Sequence, residues 1–306
     1  MDLYKNQVKL LLDVIPIVAN ESVFALHGGT AINLFVRNMP RLSVDIDLTY
    51  VAVEDDYKAG RINIENGLNR IKMAIEKSLP QISVSRHNDG DGQLKLNLQS
   101  PNATIKVEVN PTGRGVISPV VKMPLCEKSQ EDFDVFCAIN VVPLGQLYGG
   151  KICAALDRQH PRDLFDVKYL LENEGFNDDI KRGFIYCLLC SGRPIHEIIS
   201  PNYKNEEDMR KTMVNQFDGM TAEQFTYDDY EEVRNRLVNV VNAGLTEKDK
   251  AFILSFDSGE PVWDTYDFSE YPGVKWKLHN LKEKFISPKP MEHSKQHEEL
   301  KRKLYT

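Results

Sequence analysis

Two aspartates, Asp45 and Asp47, lie two residues apart in a segment that alternates apolar and polar residues from Val44 to Tyr50. This alternation is typical of a β-strand with one buried face, so both carboxylates should project from the opposite face. Like charges held about 6–7 Å apart on a strand repel each other. A divalent cation would relieve that repulsion, and carboxylate oxygens suit Mg²⁺. The alternative is a solvated strand face.

A third carboxylate, Glu108, lies in a second alternating segment, Thr104–Asn110. On a strand next to that of Asp45 and Asp47, it would complete a site of three carboxylates. Such a site can hold two metal ions, one that carries a triphosphate and one that lowers the pKa of an attacking hydroxyl. Taken alone, Glu108 also fits an ordinary exposed strand residue.

The run Gly28-Gly29-Thr30 separates a predicted strand, Val23–His27, from a predicted helix that begins at Ala31. Glycines at such a junction leave room for a phosphate to approach the backbone, and Thr30 adds a hydroxyl. Glycine-rich turns also occur there for steric reasons alone.

The hydrophobic periodicity changes near residue 140. Before it, helical and strand patterns are mixed; after it, the patterns are helical. We therefore predict an α+β fold, with one domain over residues 1–140 and a helical domain over residues 141–306. The predicted strands are residues 23–27, 44–50, 82–86, 93–98 and 104–110. The predicted helices are residues 2–18, 31–37, 62–79, 144–156, 161–171, 179–189, 227–245, 248–255 and 276–285.

The C-terminal segment differs in charge from the rest of the chain. From Lys275 onward it has nine Lys and Arg residues against four acidic ones, whereas the whole chain has a net charge of −7. A basic tail favours an RNA or nucleotide contact. The alternative is a solvated, frayed helix over Glu292–Tyr305.

Composition excludes several classes of protein. The apolar runs are too short for a membrane span, and the N-terminus does not resemble a secretory signal, so we expect a cytoplasmic protein without a membrane partner. The number of cysteines is five, which is odd. Cys187-x-x-Cys190 has no second pair of ligands nearby, which favours buried thiols over a metal site.

The order of these features resembles the polymerase-beta nucleotidyltransferase superfamily. In that order, a glycine pair is followed by a helix, an Asp-x-Asp strand and a later single acid. Four segments resemble one branch of it, the AbiEii/AbiGii toxin nucleotidyltransferases of type IV toxin–antitoxin systems. They are residues 27–31 (HGGTA) with 43–48 (SVDIDL), 151–158 (KICAALDR) with 161–167 (PRDLFDV), 252–264 and 274–281. Residues 195–245 carry no motif that we can assign.

This resemblance implies a polymerase-beta-like domain, with a mixed sheet flanked by helices, followed by a helical domain that completes the nucleotide site. It implies transfer of a nucleoside monophosphate from an NTP to tRNA, with Mg²⁺ or alternatively Mn²⁺, by a toxin with a cognate antitoxin. The residues to which it assigns roles are Gly28, Gly29 and Thr30 for phosphate, Asp45, Asp47 and Glu108 for metal and catalysis, Lys151 for the triphosphate, and Asp163 as a catalytic acid.

The residues themselves allow the same interpretation of the later motif. Lys151 and Arg158 share one face of a predicted helix, and Arg162-Asp163 begins the next one. Three cations, Lys151, Arg158 and Arg162, would offset the charge of a triphosphate, and arginine can bind it through two hydrogen bonds. Alternatively, Arg158 and Arg162 form ion pairs with Asp157, Asp163 and Asp166 on a surface helix.

Two other functions stay open at this point. The same fold can modify a hydroxyl of a small molecule or a protein. A nucleotide-binding protein without catalytic activity would also fit, although such a protein has little need of a dense carboxylate cluster.

Overall fold

The computed structural model describes residues 2–54, 56–88, 94–286 and 290–305. They divide into two compact units, the first comprising Met1–Pro143 and Phe217–Gln224, the second Leu144–Gln216 and Phe225–Thr306. The segment Phe217–Gln224 belongs to the first unit although it lies far along the chain. A backbone hydrogen bond holds it there, since the Leu42 N–H donates to the Met220 carbonyl (2.7 Å). The Thr221 hydroxyl also donates to the Pro40 carbonyl (2.9 Å). The predicted boundary at residue 140 had not anticipated this return.

The first unit is built on a seven-stranded mixed sheet with the order β3-β4-β5-β2-β1-β7-β6. The strands are β1 (Phe24–His27), β2 (Asp45–Tyr50), β3 (Ser83–Asn88), β4 (Leu94–Gln99), β5 (Thr104–Val109), β6 (Val121–Pro124) and β7 (Ala138–Val141). β2 pairs with β5, and β1 with β7, in parallel; the other neighbours are antiparallel. The α+β class is thus confirmed.

Two long helices pack on this sheet. They are α1 (Asp2–Val18), which contacts β5 and β7, and α3 (Tyr57–Ser78), which contacts β3 and β4. The alternating apolar residues of the strands, such as Ile46 and Val107, are completely buried. Their burial holds the sheet in place and leaves the intervening polar residues on its other face.

The helix predicted from Ala31 is in fact two short pieces. α2 (Gly28–Ala31) begins directly at the glycine pair and continues as a π-helical turn, Ile32–Val36. α4 (Glu127–Phe133), β6 and β7 had no predicted counterpart, since short elements give little periodicity to detect.

The second unit consists of helices. They are α5 (Leu144–Arg158), α6 (Pro161–Asn173), α7 (Asp178–Cys190), α8 (Ile195–Ile199), α9 (Glu206–Gln216), α10 (Tyr227–Gly244), α11 (Glu247–Asp257), α12 (Pro272–Ile286) and α13 (Pro290–Leu304). α8 and α9 fall where the sequence carried no assignable motif. No helix in the described residues combines the length and hydrophobicity needed to cross a bilayer.

α5 and α7 are in direct backbone contact at three glycines. A methyl group at Gly149 would collide with the backbone of Gly183 and Phe184, and one at Gly183 with the backbone of Gly145. The close approach of these helices therefore requires glycine. It fixes α5, which carries the charged motif at its C-terminal end.

The described part of α13 is docked, not frayed. Leu300 and Leu304 are buried. The Lys303 ammonium donates to the carbonyls of His196 (3.2 Å) and Ser200 (3.0 Å) at the C-terminal end of α8. The frayed alternative is wrong for this part of the tail.

Candidate active site

The parallel pairing of β2 with β5 brings the three predicted carboxylates together. Asp47 pairs with Glu108 in the register, and Asp45 pairs with Lys106. Residues that pair across neighbouring strands project from the same face, with backbones about 4.8 Å apart. Asp45, Asp47 and Glu108, the strand carboxylates, are all half-buried. The structure thus places them on one face of adjacent strands.

The same row extends over four strands. His27 on β1 pairs with Asp47, and Lys95 on β4 pairs with Glu108. Lys95 was not among the predicted site residues. Its alternation within Leu94–Gln99 was visible in the sequence, but its position beside Glu108 depends on a pairing that periodicity does not report.

Gly28 is in close contact with one of these carboxylates. Its φ is +73°, and a methyl group at this position would collide with the Asp47 carboxylate. A methyl group at Gly29 would lie 2.8 Å from the Arg41 guanidinium and 3.0 Å from the Ser43 hydroxyl. The first glycine is therefore required by conformation and by space, and at both positions the missing side chain lets a polar side chain pack against the backbone.

The Thr30 side chain has internal partners. Its hydroxyl is completely buried and donates to the Asp45 carbonyl. It is also 3.0 Å from the Ser43 hydroxyl. Because a hydroxyl has one proton, Ser43 is left to donate to Thr30. In this structure Thr30 fixes the start of β2, and its predicted phosphate contact stays a prediction.

The strand carboxylates fit a hard divalent cation by chemistry and by register. They are oxygen donors on adjacent strands, and a glycine makes room beside Asp47. However, no group of three or more His, Cys, Asp or Glu side chains within the described residues is arranged to hold a metal ion. The three-carboxylate metal site therefore stays a prediction.

A second group of charges lies at the junction of α5 and α6, and we call it the helix ion cluster: Lys151, Arg158, Asp163 and Asp166. The Lys151 ammonium lies 2.9 Å from an Asp163 oxygen and 3.0 Å from an Asp166 oxygen. All three side chains are at least 93% buried, Asp166 completely. Asp166 was named only as a possible ion-pair partner, yet it holds Lys151 as closely as Asp163 does.

The two predicted arginines differ from Lys151 in exposure. The Arg158 guanidinium lies 2.9 Å from the second Asp163 oxygen, and 60% of its side chain is exposed. Arg162 is half-buried, and its backbone N–H donates to the Nδ1 of His160 (3.1 Å). The predicted ion-paired alternative is therefore seen, but in a buried cluster and not on a surface helix.

His160 caps α6 in its neutral form. Nδ1 accepts from Arg162, so Nε2 carries the proton and donates to the Gln216 side chain (2.9 Å). Burial is the main cause that lowers the pKa of His160, and the charges of Arg162 and Arg158 lower it further. This side chain acts as a cap at neutral pH.

The turn before His160 is held by a segment in which the sequence showed no motif. Gln159 has a φ of +48°, a left-handed conformation that non-glycine residues rarely adopt. Its side chain donates to the Asn202 carbonyl (2.8 Å) and accepts from the Lys204 N–H (3.2 Å). Its carbonyl accepts from the Tyr230 hydroxyl (2.8 Å). These bonds set the direction in which Arg158 leaves α5.

The prediction of buried thiols holds for Cys137, whereas the other four cysteines are half-buried. All five are free thiols. Burial raises the pKa of Cys190 to about 12 and that of Cys137 to about 11. Such thiols are poor ligands and poor nucleophiles at neutral pH.

Residues 9–279 match the family described as nucleotidyl transferase AbiEii toxin of a type IV toxin–antitoxin system. The chain belongs to this AbiEii family. It is therefore a nucleotidyltransferase of the toxin type, and the family implies an NTP substrate and a cognate antitoxin. No curated protein sequence matches the chain.

A solved structure shares the fold. MenT4, a nucleotidyltransferase toxin from Mycobacterium tuberculosis H37Rv, aligns with a TM-score of 0.59 at 15% identity, over 89% of this chain and 91% of that one. At this identity the likeness concerns the fold. It extends over most of both chains.

Proposed function

We propose that this chain transfers a nucleoside monophosphate from an NTP to RNA, with tRNA as the natural acceptor, in a Mg²⁺-dependent reaction. The toxin would act in the cytoplasm and be restrained by its antitoxin. One observation carries the proposal: the parallel pairing of Asp47 with Glu108 on the same face as Asp45, with Gly28 packed against the Asp47 carboxylate.

The reaction breaks a phosphoanhydride bond of the NTP and forms a phosphoester bond to the acceptor. The oxygen of an acceptor hydroxyl attacks the α-phosphorus, and the bond from that phosphorus to the bridging oxygen breaks. Pyrophosphate leaves, and the hydroxyl proton passes to a carboxylate, for which Glu108 is our candidate. Asp45 and Asp47 would hold Mg²⁺, with Glu108 beside them; when bound, the ion supplies charge compensation for the phosphates and a lowered hydroxyl pKa.

The backbone at Gly28 and Gly29 would accommodate the phosphates, with Thr30 fixing this turn against β2. Among the cations, Arg158 is the most accessible, because 60% of its side chain is exposed. Arg162 would add a second guanidinium. Lys151 already neutralises two buried carboxylates, so its contribution in the proposal is to orient Asp163 and, through it, Arg158.

An RNA acceptor is supported by charge. The segment from Lys275 carries nine basic and four acidic residues in a chain whose net charge is −7. Neutralising phosphates with lysine and arginine is the main source of affinity for RNA backbones.

The test is a labelling reaction. The protein is incubated with total RNA, Mg²⁺ and each of the four α-labelled NTPs in turn, with Asp45→Asn/Asp47→Asn as the inactive control. We expect label in the tRNA band for the wild type only, and none when EDTA is present. Label in protein or in a small molecule would overturn the RNA acceptor, and no transfer to any acceptor would overturn the activity.

A further inference from the structure

A pocket in the second unit lies where the C-terminal end of α7 and the start of α8 meet α12 and α13. Its lining includes Gly192, Trp276, Asn280, Leu281 and Gln296. We call it the Trp276 pocket. It belongs to neither the strand carboxylates nor the helix ion cluster.

Trp276 is the largest side chain that lines this pocket, and the residue is 44% exposed. Gly192 lies beside the indole, since a methyl group at Gly192 would be 3.9 Å from the ring, an ordinary van der Waals contact. The missing side chain leaves this edge of the ring less covered than another residue would. By contrast, Trp263 packs against Phe252 and Phe256, with ring centroids 5.7 and 6.3 Å away.

Two amide side chains line the same pocket. Asn280 and Gln296 are half-buried, and neither makes a side-chain hydrogen bond to any residue that the structure describes. Each amide offers one acceptor and two donors. An aromatic ring next to such amides matches a flat heterocycle with polar edges, since the ring stacks on its face and the amides bond to its edge.

Hydrogen bonds from a buried lysine hold the helices around the pocket in place. Lys277, which is 5% exposed, donates to the carbonyls of Leu188 (3.1 Å) and Arg193 (2.8 Å). This ties α12 to the turn that follows α7. A preformed pocket loses little conformational entropy when a ligand binds.

The charge around the pocket favours a polyanion. α12 and α13 together carry most of the basic C-terminal segment, and Lys282, Lys295, Lys301 and Arg302 are exposed. α13 has 15 residues, a length of about 22 Å at 1.5 Å per residue. Basic residues spread over this length match several phosphates of a chain better than the compact triphosphate of a free nucleotide.

We propose that the Trp276 pocket binds one unpaired base of the RNA that the toxin modifies. The base stacks on Trp276 and bonds to Asn280 and Gln296, while the neighbouring phosphates contact the basic surface of α12 and α13. This inference rests on the proposed function for the identity of the RNA, but the binding itself does not require catalysis.

The test uses the fluorescence of Trp276. Trp263→Phe leaves Trp276 as the remaining tryptophan, because the sequence has two. This variant is titrated with a single-stranded RNA hexamer, with a blunt RNA duplex and with each NTP. We expect saturable quenching by the hexamer, about tenfold weaker binding of the duplex, and no quenching by NTPs at equal phosphate concentration.

Variants assign the binding to the pocket. Trp276→Ala should weaken hexamer binding, followed by anisotropy of labelled RNA, about tenfold. Trp276→Phe should restore most of it, and His279→Ala, an exposed neighbour on α12, should leave it unchanged. Asn280→Ala with Gln296→Ala should weaken binding about fivefold. In a transfer assay these variants should raise the KM for RNA while kcat stays within about twofold.

Several results would overturn the inference: no quenching at saturating RNA, equal quenching by NTPs, or unchanged RNA affinity in Trp276→Ala. Asp47→Ala separates this proposal from the proposed function. If Asp47→Ala loses transfer and keeps the quenching, both stand. If the wild type quenches but transfers nothing to RNA, the pocket is correct and the proposed activity is wrong.

Discussion

The strand carboxylates and the helix ion cluster are both dense groups of charge, but the protein holds them in opposite ways. Asp45, Asp47 and Glu108 are half-buried on one sheet face, where the paired register positions add Lys106 and Lys95. Three carboxylates and two lysines thus share these register positions, and the carboxylates stay partly open to solvent. In the helix ion cluster, two cations match two carboxylates, and Lys151, Asp163 and Asp166 are almost completely buried.

The difference indicates that the strand carboxylates serve the reaction and that the helix ion cluster stabilises the fold. Accessible carboxylates can recruit a cation and take up a proton, whereas a buried cluster of paired charges is stable only as long as every partner is present. Changes in the first group should therefore reduce activity and spare the fold. Changes in the second should reduce stability first. Each prediction below tests one side of this contrast.

The largest effect should come from Asp47→Ala. We expect transfer to fall by at least about 10³-fold, because metal binding and hydroxyl activation fail together. Stability should stay within about 1 kcal/mol of the wild type, since the change removes one of several crowded like charges. Transfer rates and urea unfolding measure the two quantities. A folded Asp47→Ala protein with near wild-type transfer contradicts the mechanism, and one that loses transfer but stays toxic favours a binding function.

On the other side of the contrast, Lys151→Met should destabilise the protein by about 3–5 kcal/mol, because it leaves Asp163 and Asp166 buried without their cation. Lys211→Met, which disrupts an exposed pair with Glu207, is the matched control and should cost about 0–1 kcal/mol. Adding Asp166→Asn to Lys151→Met should regain part of the loss. Equal unfolding free energies for Lys151→Met and the control would show that the buried ion pairs of Lys151 do not stabilise the fold.

Thr30→Val tests whether the glycine turn contributes to nucleotide binding or to the stability of the fold. The variant keeps the shape of the side chain and leaves the Asp45 carbonyl without its donor. We expect a loss of about 1–3 kcal/mol in unfolding free energy and a KM for NTP within about twofold. Thr30→Ser should restore stability. A KM raised tenfold at unchanged stability would instead assign the hydroxyl to the phosphate.

The smallest effect concerns pH and the cap beside the helix ion cluster. The pKa of His160 is lowered in the folded protein, so folding favours the neutral ring. The neutral ring therefore adds to the free energy of unfolding above the ordinary pKa of 6.5, and this stabilisation is lost as pH falls below that value. Between pH 7.5 and 5, unfolding free energy should fall more in the wild type than in His160→Asn. The difference should be no larger than a helix cap, about 1 kcal/mol. Because burial also lowers the pKa of His196, only this difference is informative. If the unfolding free energies of the two proteins change with pH in the same way, His160 does not contribute to the pH dependence of stability.

Local patterns predicted much of this structure. α1 has the predicted bounds, and β1, β2 and β5 lie within one residue of theirs at each end. The pairing of β2 with β5 was assumed but not derivable, because periodicity does not determine which strands are neighbours. For the same reason Lys95 was missed beside Glu108.

The second unit shows another limit of sequence reasoning. The charges of the α5–α6 motif were found, but their burial depends on helix packing. The hydrogen bonds that hold Gln159 come from residues 202–230, where the sequence showed no motif. The return of Phe217–Gln224 to the first unit likewise rests on hydrogen bonds between residues far apart in the chain.

The central claim, that this toxin transfers a nucleoside monophosphate through its strand carboxylates, is tested most directly by comparing two positions of a label. Parallel reactions contain RNA, Mg²⁺ and the preferred NTP labelled at either the α- or the γ-phosphate. The account predicts that the α-label enters RNA at a rate that Asp47→Ala abolishes, while the γ-label appears in pyrophosphate. Transfer of the γ-label to RNA, or α-labelling that survives in Asp47→Ala, would contradict it.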